Sequence, residues 1–177
     1  MNIEFILLIF DYFKIIKRKD FILDWILPTL LCGLTFGLNF GNKEIQTDAV
    51  VNCNSLISLV GVLIGFSIAV ITLLVTSSTP NVEEIKTIIT TYIRGTRPIS
   101  LFDLLLITYV YSVIMEVFIV IVNLLLPIIY KHVSNLVNIN ILNSINLLFA
   151  MHVLFLTLRN VTNYYFILAR RNNNNPA

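Results

Sequence analysis

Charge is what this chain lacks. Ten acidic and twelve basic residues in 177 leave only 12% of the chain charged. A soluble domain of this length cannot keep its surface wet with so few charges, so the excess apolar surface must face lipid. The net charge of +2 is too small to point to a nucleic-acid partner. There are two cysteines, Cys32 and Cys53, and they form no C-x-x-C pair. That argues against a thiol-redox membrane enzyme and a zinc site, and both read as small packing residues. The only histidines are His132 and His152. No H-E-x-x-H, G-x-S-x-G, P-loop or paired-aspartate pattern occurs, and no nucleophile–base–orienter set can be assembled. The expectation is a protein that is not an enzyme and needs neither cofactor nor metal.

What the chain has in abundance is apolar sequence: 57% hydrophobic residues and a mean hydropathy of +0.87. A helical span needs about 20 residues. Four segments qualify, at about 22–40, 50–79, 99–130 and 139–158. The first is short and borrows Phe21–Asp24; the second and third are long enough to tilt or project. The fold class expected is therefore an all-α membrane protein with four transmembrane helices forming a bundle over 21–168.

Basic residues set its orientation. One set of flanks carries Lys14, Lys17, Arg18, Lys19, Lys86, Arg94, Arg97, Arg159, Arg170 and Arg171; the other carries Lys43 and Lys131. This ten-to-two division predicts both termini in the cytoplasm. Residues 1–20 are not a signal peptide, because the positive cluster follows the apolar stretch and no small-residue cleavage site appears. Residues 3–19 read as an amphipathic helix in the inner interface. Glu4, Asp11, Lys14 and Arg18 fall on one face, and Phe5, Ile9, Phe13 and Ile16 on another.

A second cytoplasmic helix is expected at about 80–95. Thr79 would cap it, Pro80 suits its first position, and Gly95 and Pro98 stop it. The tail 169–177, "RRNNNNPA" after Ala169, reads as polar and disordered. "NVT" at Asn160–Thr162 matches a glycosylation acceptor, but it falls on the cytoplasmic side. Lys14, Lys17, Arg18, Lys19, Arg94 and Arg97 are candidate contacts to the membrane surface or to a cytoplasmic protein.

Two seams of small residues run along the spans. Thr29, Gly33, Gly37 and Gly41 are spaced four apart on the first; Asn54, Ser58, Gly61, Gly65, Ala69, Thr72 and Thr76 follow helical pitch on the second. In lipid, helices associate through close backbone approach and dispersion. The seams fit packing inside the protomer, a subunit contact, or a pore wall.

The third span carries a polar stripe. Tyr109, Ser112, Glu116, Asn123 and Pro127 share one helical face, and the other faces are Leu, Ile, Val and Phe. An ionised side chain at mid-bilayer costs at least about 2.5–3.5 kcal/mol, so Glu116 must face protein or water. On the fourth span, counting inward from the outer ends puts His152 near the depth of Glu116. Counting from the inner ends separates them by roughly 16 Å. A Glu116–His152 contact is therefore open. So are a buried network that fixes the bundle, a proton or ion pathway, and a ring of Glu116 side chains at an oligomer axis. Asp103, near the inner start of the span, can reach headgroups or Arg97.

In chain length, four spans between Trp25 and Leu158, inward termini and the basic flank Lys14–Lys19, the chain resembles the membrane subunits of the Kiwa anti-phage defence system. The resemblance is one of outline across the whole chain. It implies a homotetrameric component of the bacterial inner membrane working with a cytoplasmic partner. The function expected is an oligomeric sensor or scaffold. The alternatives are an ion-conducting pore or membrane-disrupting effector, and a proton-coupled small transporter. The last lacks an evident aromatic cage around Glu116.

Overall fold

In the computed structural model, residues 4–39, 49–94, 96–133 and 139–169 are described. Helix α1 spans Glu4–Ile15. The first span is continuous through α2 (Arg18–Phe21), a π-helical turn (Ile22–Ile26) and α3 (Leu27–Asn39). Then come α4 (Ala49–Thr76), α5 (Pro80–Thr87), strands β1 (Ile89–Arg94) and β2 (Arg97–Ser100), α6 (Leu101–Val133) and α7 (Ile139–Ala169). Four helices, at Arg18–Gly37, Cys53–Thr76, Leu101–Ile129 and Ile141–Phe166, are long and apolar enough to cross a membrane. The chain is an all-α membrane protein with one small hairpin.

Packing follows heptad spacing. On α6 the buried positions Leu105, Tyr109, Ser112, Glu116, Ile119, Asn123 and Leu126 alternate steps of four and three. Asn146, Ala150, Val153, Thr157 and Asn160 do the same on α7. Cys53, Val60, Ser67 and Leu74 recur every seven residues on α4. A 3.5-residue seam is what keeps nearly antiparallel helices in register along their length. The outward residues, Leu30, Leu34, Val62, Leu124 and Ile128 among them, are exposed apolar side chains. They form the lipid-facing surface of a multi-pass protein.

Four expectations need correction. The segment at about 80–95 is helical only to Thr87. "IITTYI" is β-branched and aromatic, and it pairs antiparallel with Arg97–Ser100 in a hairpin instead. Thr79 occupies the cap position, but its carbonyl and not its hydroxyl meets the N–H groups of Val82 and Glu83. The fourth helix runs on to Ala169, past the expected end at 158. Finally, α1 docks by a face that shares only Ile9 and Ile16 with the expected one. Tyr12 and Ile15 are buried and Leu8, Ile9 and Ile16 pack beside them, while Phe13 is exposed. Lys17 takes an extended conformation that breaks the helix before α2.

The start of α6 shows how local chemistry positions a span. Ser100 is its cap: its hydroxyl accepts from the Asp103 N–H at 3.1 Å and donates to the Asp103 carboxylate at 2.7 Å. This reciprocal capping motif uses Asp103 locally, where Arg97 or a headgroup was expected.

Candidate functional site: two buried polar networks

The first network centres on Glu116, which is fully buried. Its Oε1 accepts from Ser67 of α4 at 3.0 Å, Ser112 of α6 at 3.0 Å and Thr157 of α7 at 3.2 Å. One carboxylate thus ties three spans together. Its Oε2 meets no hydrogen-bond partner among the described residues. Deeper along the same seam, Asn123 and Asn146 exchange two amide hydrogen bonds of 2.9 Å. Toward the other end, the Asn160 amide donates to the Thr108 carbonyl at 3.3 Å. These pairs move back along α6 almost as fast as they move forward along α7, so they mark a single antiparallel register.

The second network lies where the first span meets α1 and α7, and its origin is Pro28. Proline has no N–H, so the Asp24 carbonyl loses its ordinary i+4 donor. The wide π turn closes through the Leu27 N–H to the Ile22 carbonyl. His152 fills the gap: its Nδ1 lies 2.6 Å from the Asp24 carbonyl oxygen. A carbonyl only accepts, so Nδ1 carries the proton, and Nε2 accepts from the Tyr111 hydroxyl at 3.2 Å. One tautomer of a neutral imidazole is thereby selected. The Trp25 ring covers it at 4.1 Å between centroids.

The same turn aims the Asp24 side chain inward, where it is fully buried. Its Oδ2 accepts from the Arg159 guanidinium at 2.7 Å and from the Tyr12 hydroxyl at 2.6 Å. Tyr12 also stacks on Tyr111, with centroids 3.6 Å apart and planes 5° from parallel. Burial, and then the adjacent Asp24 carboxylate, push the Tyr12 phenol above its ordinary pKa, so it remains a donor. The structure thus buries an ion pair, Asp24–Arg159, inside the spans.

Of the stripe residues, Ser112 and Glu116 bond each other and Asn123 joins the same seam through Asn146. Tyr109 is buried there, its hydroxyl without a hydrogen-bond partner among the described residues. His152 belongs to the second network, so the open Glu116–His152 contact is not made by hydrogen bonding. Arg159 is also corrected: it is a buried span residue and no longer counts as a flank. Asn160, in the glycosylation-like triplet, is fully buried. The seam glycines Gly33, Gly37, Gly61 and Gly65 face outward, with open space where a Cβ would stand. Ser58, Ala69, Thr72 and Thr76 are exposed beside them. These seams do not pack within the protomer; Gly41 lies outside the described residues. Lys14, Lys17, Arg18, Lys19 and Arg97 are exposed, and the Arg94 side chain lies outside what is described.

Sequence reasoning missed Ser67 and Thr157 in the first network and Tyr12, Asp24, Tyr111 and Arg159 in the second. A signal for Arg159 was present: "YYFILA" continues apolar beyond it, so the span cannot end there. Comparison with protein-family models, curated proteins and solved structures found no match for this chain.

Proposed function

We propose that this chain is a non-conducting membrane sensor or scaffold of the bacterial inner membrane, assembled as a homo-oligomer and working with a cytoplasmic protein. The observation that carries this reading is the closed interior. Glu116 is engaged by hydroxyls of its own protomer and Asp24 by Arg159 and Tyr12, and both carboxylates are fully buried. Side chains spent in this way do not line a wet axis. The outward small-residue faces of α3 and α4 supply the surface for like chains to meet. The basic end, with α5 and the hairpin, is the surface for a partner. The outline shared with the Kiwa membrane subunits supports a defence role and a tetramer.

The test pairs conductance with mass. Purified protein in planar bilayers is expected to carry no unit conductance, and in nanodiscs to run as an oligomer that Gly61→Leu with Gly65→Leu disperses. Conductance by the chain alone, or a monomeric mass for the unsubstituted protein, overturns the reading. A second reading, proton-coupled transport, draws on the unpartnered Glu116 Oε2. It requires that Glu116→Gln abolish proton flux in vesicles while leaving the assembly intact.

A further inference from the structure

A half-enclosed cavity of about 360 Å³ sits at the basic end of the bundle, between α1, β1 and the ends of α6 and α7. Its polar wall includes Lys17, Asp20, Arg159 and Asn163; Leu104 and Phe166 stand on the apolar side. Arg159 and Tyr12 of the second network and Thr108 of the first stand in its wall. We infer that it seats the headgroup of an aminophospholipid, with the phosphate against Lys17 and Arg159 and the ammonium against Asp20.

Charge balance selects a ligand that carries both signs. Lys17 and Arg159 bring two positive charges; Asp20, and Asp24 directly behind Arg159, bring two negative ones. A ligand of net charge would leave one charge uncompensated in a partly apolar recess, which is costly. A zwitterion leaves none. The donors agree. Arg159 is about nine-tenths buried, and one of its amino groups holds Asp24 at 2.7 Å. Its Nε–H meets no acceptor among the described residues. It is the only residue of the cavity wall with an unsatisfied buried polar atom among the described residues. Guanidinium edges suit phosphate oxygens. Lys17 reaches the same recess with its ammonium over the Tyr92 ring at 5.5 Å.

The acceptor is Asp20. Its Oδ2 stands 3.9 Å from the Arg159 amino group, too far for a hydrogen bond, and its side chain is 40% exposed. It can take a donor from outside. A primary ammonium offers three N–H donors; a trimethylated one offers none. The apolar wall then receives glycerol and the first acyl carbons, at the end of the spans where headgroups lie. That placement favours a lipid over a soluble phosphate ester.

Native mass spectrometry of the detergent-purified protein tests this with phosphatidylethanolamine, phosphatidylcholine and phosphatidylglycerol of matched acyl chains. The ethanolamine lipid is expected to be retained at a roughly five-fold lower concentration than the other two, a margin of about 1 kcal/mol. Asp20→Asn should bring ethanolamine and choline lipids level. Lys17→Gln should weaken both about five-fold, as a basic residue at a membrane surface contributes about 1 kcal/mol. Both residues are partly exposed, so both variants are expected to fold. Equal retention of ethanolamine and choline lipids by the unsubstituted protein overturns the assignment. So does an ethanolamine preference that survives Asp20→Asn. Displacement of the lipid by an equal concentration of soluble O-phosphoethanolamine would assign the site to a soluble ester and overturn it as well.

Discussion

At the scale of the residue, the most consequential side chain is Arg159. A buried ion pair gains little over a well-packed apolar pair, but removing one partner strands the other charge. Arg159→Met should therefore cost about 3–5 kcal/mol, because Asp24 would remain ionisable and buried with only Tyr12 to hold it. Pairing it with Asp24→Leu should recover most of that loss. Thermal unfolding of the two variants in one detergent makes the comparison, and equal stability of single and double variants would refute the pairing. Glu116 gives a contrasting expectation. Glutamine keeps an acceptor for the three hydroxyls, so Glu116→Gln should unfold close to the unsubstituted protein. Glu116→Leu leaves three donors to find new partners and should cost on the order of 1–3 kcal/mol.

At the scale of the element, the first span is the informative one. Proline in a helix interior normally costs about 3 kcal/mol relative to alanine, so Pro28→Ala ought to stabilise a regular helix. Here the reverse is expected. A new N–H at position 28 would compete with His152 for the Asp24 carbonyl and favour closing the π turn, which turns the Asp24 carboxylate away from Arg159. A lower unfolding temperature is the first readout. The second is loss of the single imidazole tautomer in the nitrogen spectrum of His152. A gain in stability with the tautomer unchanged would refute this account.

Much of this was legible and some was not, for physical reasons. Heptad spacing is written in the identity of Tyr109, Ser112, Glu116 and Asn123, so the buried face of α6 could be read directly. Depth along α7 could be counted from its outer end, and the register marked by Asn123–Asn146 agrees with that count. The direction in which His152 points could not be counted, because it depends on how α7 is rotated against two neighbours at once. Asp24 and Arg159 were hidden for another reason. Asp24 lies four residues from Asp20, and Arg159 directly follows the apolar run that ends at Leu158, so in an isolated sequence each reads as a flank. Only tertiary packing turns such a residue inward. The hairpin was masked by helix caps on either side of a β-branched run, a conflict that local rules resolve only by weighing propensity against punctuation.

At the scale of the whole molecule, the even number of candidate spans puts α1, the end of α7 and the α5–hairpin segment on one side of the bundle. The basic bias, now nine to two with Arg159 withdrawn, is the ground on which that side is proposed to be cytoplasmic. Cysteine labelling in intact cells checks it conveniently, since Cys32 and Cys53 are buried and should stay silent. A cysteine at position 43 should react with an impermeant reagent from outside, and one at position 173 should not. Labelling in the opposite sense would invert the proposed topology.

The bond between the Asp24 carbonyl and His152 spans 128 residues of chain. It follows that the two ends of the protein do not mature separately. During synthesis, at about 5–20 residues per second, the first span would wait roughly 6–26 s for its imidazole and its guanidinium to be made. Throughout that interval a carboxylate without its guanidinium and a carbonyl without its imidazole sit in the membrane. A nascent chain stopped before α7 therefore carries a mark of incompleteness in its very first span. Quality control that extracts helices with uncompensated polar groups would clear such fragments, and only the finished chain would escape it.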